Sequence, residues 1–204
     1  MSARGRFITL EGVDGAGKST HVDFLAQRLT ARGRQPLVTR EPGGTPLAEK
    51  LRALVLAEPM APLAETLLMF AARADHVERV IRPALESGRW VLCDRFTDAT
   101  AAYQGAGKGV PQDLIQRLAE AVHPGLLPDR TLVFDCPYDV ARSRLTASGR
   151  DLDRFETEGA EFFDRVRKAY LARATAEPGR VWVIDATQTI ENIRKKLEEA
   201  VLLD

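Results

Sequence analysis

Nine residues near the N-terminus constrain the fold most: Gly12-Val13-Asp14-Gly15-Ala16-Gly17-Lys18-Ser19-Thr20. They fit G-x-x-x-x-G-K-[ST], and they stand in the setting that gives this pattern meaning. A β-prone run, Phe7 to Leu10, precedes them. A helical period follows from Ser19 to Arg32, with Val22, Leu25, Ala26 and Leu29 on one face. Glycine lets the backbone close around phosphate oxygens that a Cβ would hold off. Loop N–H groups and the positive helix end attract the anion. Lys18 can reach the β- and γ-phosphates, and the Ser19 hydroxyl suits magnesium. The loop therefore predicts a nucleoside triphosphate site.

The rest of the chain alternates in the same way. Pro36–Thr39, Trp90–Cys93, Thr131–Phe134 and Val181–Ile184 read as four more short strands. Helical patterns fill the gaps: Pro46–Leu56, a long Leu63–Glu86 with Pro83 as a kink, Asp98–Gln104, Gln112–Val122, one opening at Val140–Leu145, Ala160–Ala174 and Ile190–Leu203. This order predicts one α/β domain over residues 1–204, with a five-stranded parallel sheet covered on both faces. Residues 146–157 are polar and read as a mobile, lid-like loop.

Composition excludes several classes. Lys plus Arg and Asp plus Glu are both 29, so no global charge points to nucleic acid or an acidic membrane. The only two cysteines, Cys93 and Cys136, cannot build a disulfide framework. Each sits in an apolar run, as a buried free thiol does. No run is apolar enough to span a membrane, and no secretory signal is evident. The expectation is a cytoplasmic protein. His21, His76 and His123 share no metal-ligand spacing and read as structural or surface residues. The only asparagine is Asn192, so the guanine-reading N-K-x-D motif of GTPase switches is absent.

In a parallel sheet, strand C-termini open on one edge, where ligands bind. That brings the glycine loop together with Arg40, which leaves the second strand, and with Asp94 and Arg95, which leave the third. Asp94 can help hold magnesium or its water shell. Arg95 offers a planar fork for a second phosphate. Phe70 and Arg73 share a helix face, one able to stack on a base and one to bond its edge.

The order of REPGGTPLAEKLR, LMFAAR, DRFTDATAAYQG, LDRFE and DATQ behind the glycine loop resembles the bacterial thymidylate kinase family across nearly the whole chain. The resemblance implies a P-loop nucleoside monophosphate kinase fold with a short lid. It implies transfer of phosphate from Mg-ATP to dTMP, and a homodimer. By resemblance, Gly12 to Thr20 and Arg144 bind ATP, with Asp185 to Gln188 against adenine from the other side. Arg40, Arg73 and Arg95 line the monophosphate pocket. Asp14 bonds the sugar 3′-hydroxyl, Phe70 stacks on thymine, and Tyr103 lies against the sugar. Thr100 and Gln104 bond or close the base pocket, which Glu41 and Pro42 shape. Lys18, Arg95 and a lid arginine, Arg150 or Arg154, carry catalysis. Two departures stand out. Lys108 stands where related sequences often have arginine, and Ser148 likewise. A nucleoside monophosphate kinase of other base preference, or a nucleotide-gated ATPase, are the competing expectations.

Overall fold

The computed structural model describes residues 4–202. All five expected strands form: β1 (Phe7–Gly12), β2 (Leu37–Arg40), β3 (Val91–Asp94), β4 (Arg130–Asp135) and β5 (Val181–Asp185). β2 begins one residue after Pro36, which has no N–H to give a ladder. Every pairing is parallel, in the order β2-β3-β1-β4-β5. β1 is central and buried along its whole length, as a strand covered on both faces must be. The register sets both Arg40 and Leu10 opposite Asp94, and Asp135 opposite Asp185. The strand C-termini therefore finish on one edge, and the loops that carry the charged residues leave from there.

The helices are α1 (Lys18–Ala31), α2 (Pro46–Ala57), α3 (Pro62–His76), α4 (Arg82–Glu86), α5 (Thr97–Thr100), α6 (Gln112–Val122), α7 (Tyr138–Ala147), α8 (Ala160–Ala176) and α9 (Ile190–Leu202). The expected Leu203 lies outside the described residues. α2 starts where the sequence marks it: the Thr45 hydroxyl accepts from the Ala48 N–H at 3.1 Å, and Pro46 opens the first turn. Among the described residues no helix is long and apolar enough to cross a membrane.

Two helical expectations change form. The rod from Leu63 to Glu86 is continuous, but Val77–Ile81 is a π turn rather than α-helix. The Arg82 N–H donates to the Val77 carbonyl, five residues back. Pro83 supplies the reason: it has no N–H, and in α geometry its ring would collide with the Arg79 carbonyl. The expected Asp98–Gln104 helix is the short α5 running into a second π turn, Ala101–Gly107. That widened turn carries Tyr103 and Gln104.

Apolar side chains from β1, β4, α1, α8 and α9 make the main core, and a second cluster packs Phe7 and Phe96 against Ile81 and Leu85. Cys93 and Cys136 are free and buried, as expected. Several polar residues are buried too, and one of them sits on the central strand. Glu11 of β1 is fully buried, where its carboxylate accepts from the Phe96 N–H at 2.7 Å and the Tyr170 hydroxyl at 2.8 Å.

Candidate active site

The glycine loop closes tightly. Gly15 and Gly17 hold φ of 80° and 90°, the left-handed region that disfavours a side chain, and a Cβ on Gly15 would sit 2.4 Å from the Ala141 carbonyl oxygen. Lys18 folds back over the loop and donates from Nζ to the Gly12 and Val13 carbonyls, both at 3.1 Å. Burial, and then the Arg95 charge, draw the Lys18 amine below the usual lysine range against the pull of Asp94, Asp14 and Glu11. Arg144 ties this loop to the one after β5, donating to the Ala16 carbonyl at 3.4 Å and the Ala186 carbonyl at 2.9 Å.

Two cavities open along the strand edge. The inner one is a concave cleft that mixes charged and apolar walls, as small-molecule sites do. Asp14, Glu41, Pro42, Arg73, Arg95, Thr100, Tyr103 and Gln104, all assigned by resemblance to the acceptor pocket, line it. Arg73 is held at two of its three nitrogens. Its Nε donates to Glu41 at 2.6 Å and its Nη2 to the Thr100 hydroxyl at 3.0 Å. Its Nη1 is buried with no partner among the described residues. Glu41 also takes a 2.9 Å contact from His76 Nδ1. Burial pushes the Glu41 carboxyl up, but Arg73 and His76 outweigh it and hold it below the usual range.

Phe70 stands elsewhere. It is buried with Val110 and Ile115, and the Arg73 guanidinium lies 4.8 Å from its ring centre. It does not reach the inner cavity; Met69, one residue earlier and four before Arg73, does. Positions three and four before Arg73 both fall on its side of the helix, and α6 covers the one that Phe70 occupies.

The inner and outer cavities share Asp14, Glu41, Arg52, Arg95 and Asp153. At this junction Arg95 Nη2 meets Asp14 at 2.6 Å and the Tyr103 hydroxyl at 3.1 Å, while Tyr103 donates to Asp14 at 3.0 Å. Burial would raise the Asp14 carboxyl, but Arg95 and then Lys18 overcome that and lower it. Arg95 has a φ of 69°, unusual for a residue with a side chain. The neighbouring Phe96 N–H is clamped by buried Glu11, which holds the turn in place.

The outer cavity is lined by Gly15, Gly17, Lys18, Ser19 and Thr20, with Arg40, Asp94, Arg144 and Arg150 facing them. Arg40 lies here and not in the inner cavity; it pairs with Glu49 at 3.0 Å. Gly12, Val13 and Ala16 contribute carbonyls that fix Lys18 and Arg144. Asp94 Oδ1 is buried without a partner among the described residues. A carboxylate oxygen with no protein donor, in the cavity that Ser19 also lines, fits a hard cation or its water.

The two lid arginines diverge. Arg150 faces the outer cavity and pairs with Glu156, Nη1 to Oε2 at 2.7 Å. Arg154 turns the other way, to Glu65 on α3 and the Val55 carbonyl on α2. The structure does not bring Arg154 to the phosphate side. The lid also supplies Asp153 and Phe155 to the inner cavity, and α2 supplies Arg52. The motifs do not single out any of the three, although Arg52 ends REPGGTPLAEKLR and Asp153 and Phe155 lie in LDRFE. Asp185 is turned into its own loop, accepting from the Thr187 hydroxyl at 2.6 Å and Gln188 Nε2 at 2.8 Å. His21 stacks on Phe134 in the core, and neither cavity includes a histidine.

A family model described as thymidylate kinase matches residues 10–197. The thymidylate kinase of Bordetella pertussis is 57% identical over 201 residues, covering 98% of this chain and 96% of that protein. That of Methylobacillus flagellatus is 54% identical, covering 95% of each. The crystal structure of thymidylate kinase from Ehrlichia chaffeensis superposes with a TM-score of 0.80 at 33% identity, over 98% of this chain and 99% of that one. With matches of this length and identity, the chain belongs to the thymidylate kinase family.

Proposed function

We propose that this protein transfers the γ-phosphoryl group of Mg-ATP to dTMP, giving dTDP and ADP, with the triphosphate in the outer cavity and the acceptor in the inner one. The observation that carries the acceptor reading is Arg73 Nη1. A buried guanidinium nitrogen with nothing to donate to is costly, and a base carbonyl in the inner cavity would satisfy it. Met69 supports the apolar side of the ring. Phe70, expected to stack on thymine, supports Arg73 from behind.

The acceptor phosphate is already anionic, so the reaction needs alignment and charge neutralisation more than a base. An acceptor oxygen bonds the γ-phosphorus as the β–γ bridge breaks, and ADP leaves with the electron pair. Arg95 stands at the junction to hold the acceptor phosphate, with Asp14 and Tyr103 fixing its fork beside the sugar. Lys18 gives up two backbone carbonyls to follow the charge on the migrating group. Arg150 is the lid cation facing that group. Ser19 and Asp94 would hold magnesium, which when bound neutralises β- and γ-phosphate charge.

The homodimer belongs to the same proposal. Leu47 and Leu54 of α2 and Leu63 and Leu67 of α3 are exposed apolar side chains on two helices packed together, which a second copy would cover. Cytoplasmic residence is proposed with it, in keeping with two free thiols.

The test is ADP release from Mg-ATP with a panel of nucleoside monophosphates and a no-acceptor control. Release with dTMP, weaker with dUMP by the roughly 1–3 kcal/mol of one methyl group, is expected. Release without acceptor would favour the ATPase reading; release with another base alone would overturn the acceptor assignment.

A further inference from the structure

Glu65, in the first turn of α3, has no exposed surface, and donors from two other segments hold its carboxylate. Gln104 Nε2 donates to Oε1 at 2.8 Å, from the π turn beside the inner cavity. Lys108 Nζ donates to Oε2 at 2.8 Å, just beyond the same turn. Arg154 Nη2 of the lid donates to Oε2 as well.

An ionised carboxylate only accepts hydrogen bonds. Gln104 must therefore turn its NH2 toward Glu65, which leaves Oε1 as the other end of an amide that lines the cavity. A free glutamine amide presents either end. Glu65 thus makes Gln104 an acceptor toward the base. Thymine and uracil carry a ring N–H beside a carbonyl, matching an acceptor at Gln104 and a donor at Arg73 Nη1. Cytosine carries a bare ring nitrogen beside an amino group and mismatches both.

The same carboxylate anchors the lid. Arg154 and Lys108 lie over the Phe155 ring, 4.6 Å and 4.5 Å from its centre, and Phe155 is a wall of the inner cavity. We propose that Glu65 is a positioning residue that couples reading of the acceptor base to seating of the lid. The proposal rests on the acceptor assignment above. Without Glu65, two like charges would share a partly buried site, and each would turn to water and release Phe155.

The test uses the whole enzyme and Glu65→Gln, which keeps the shape and removes the charge. Three quantities are read: KM and kcat for dTMP, the ratio of kcat/KM for dTMP over dCMP, and amide hydrogen exchange of residues 146–157 with dTMP and no ATP. In the wild type, dTMP slows lid exchange. In the variant, KM rises about ten-fold, as loss of one buried hydrogen bond predicts, with a smaller change in kcat. The dTMP preference falls, and dTMP no longer protects the lid. Arg154→Met cuts only the lid arm: it should keep the base preference and lose dTMP-dependent protection, and it decides the matter if Glu65→Gln fails to fold by circular dichroism. Unchanged base preference and lid protection in a folded Glu65→Gln, or unchanged protection in Arg154→Met, overturns the coupling. Wild-type turnover with another monophosphate defeats the acceptor assignment instead, and the exchange measurement with that acceptor still judges the link from Glu65 to the lid.

Discussion

Arg95 and Asp14 meet at 2.6 Å where the inner and outer cavities join. The pair is only partly exposed, and the Arg95 charge is the main influence holding Asp14 ionised against burial. Asp14 therefore orients the Arg95 guanidinium, with Tyr103 on its other oxygen. Asp14→Asn keeps the size and loses the charge-assisted bond. We expect kcat/KM for dTMP to fall by about ten-fold or more, the 1.5–3 kcal/mol scale of a hydrogen bond to a charged group. Steady-state kinetics at saturating ATP would show it; wild-type kcat/KM would remove Asp14 from the acceptor site.

Lys18 donates to two backbone carbonyls, Gly12 and Val13. The glycine dihedrals and the Arg144 bridge also fix the loop. Lys18→Ala should leave the far-ultraviolet spectrum unchanged and lower kcat by about 10²–10³, the usual effect of deleting one preorganised donor at a developing charge. Normal turnover in a folded Lys18→Ala protein would contradict the phosphate role.

Legibility in the sequence followed the range of the interactions. The strand, glycine loop and helix at residues 7–31 are consecutive, so their register could be read directly. The convergence of Arg40, Asp94 and Arg95 followed from parallel topology alone. The π turns did not show, because stretches of five and seven residues cannot distinguish their period from that of an α-helix. Met69 and Phe70 could not be separated, because offsets of three and four residues from Arg73 lie on the same side of the helix. Only the packing of α6 decides which one is covered. Glu65 was invisible for a different reason: its partners Gln104 and Arg154 are 39 and 89 residues away, and no local pattern records such a contact. The same holds for the lid arginines, whose spacing looks equivalent until the chain path turns one outward and one inward.

The placement of Met69 on the inner cavity and of Phe70 in a core cluster gives a paired prediction. Met69→Ala removes a cavity wall and should raise KM for dTMP by roughly ten-fold, the scale of a few methylene groups at about 0.8 kcal/mol each, with little change in Tm. Phe70→Ala empties a core position and should lower stability by about 3–5 kcal/mol, seen as a large drop in Tm. If Phe70→Ala instead keeps its Tm and loses dTMP binding, the ring stacks on the base after all.

Glu11 makes the pH dependence of stability specific. Burial, with Asp98 adding to it, pushes this carboxyl from 4.5 up to about 8, against the opposing pull of Arg95, Tyr170 and the Phe96 N–H. Between those two values the native protein keeps a proton on Glu11 that the unfolded chain has released. The native state then binds more protons than the unfolded one, so this group's contribution to stability declines as pH rises through that window. Glu11→Gln is neutral at every pH and has no such slope, while all other titrating groups remain common to both proteins. The variant should melt close to the wild type at about pH 5 and gain on it steadily toward about pH 8, where ionised Glu11 has lost most of its proton-linked stabilisation. Thermal melts of both proteins at three pH values would check this. A melting difference that stays constant from the acid to the alkaline end would mean that Glu11 is ionised throughout, with Tyr170 and Phe96 compensating fully for its burial.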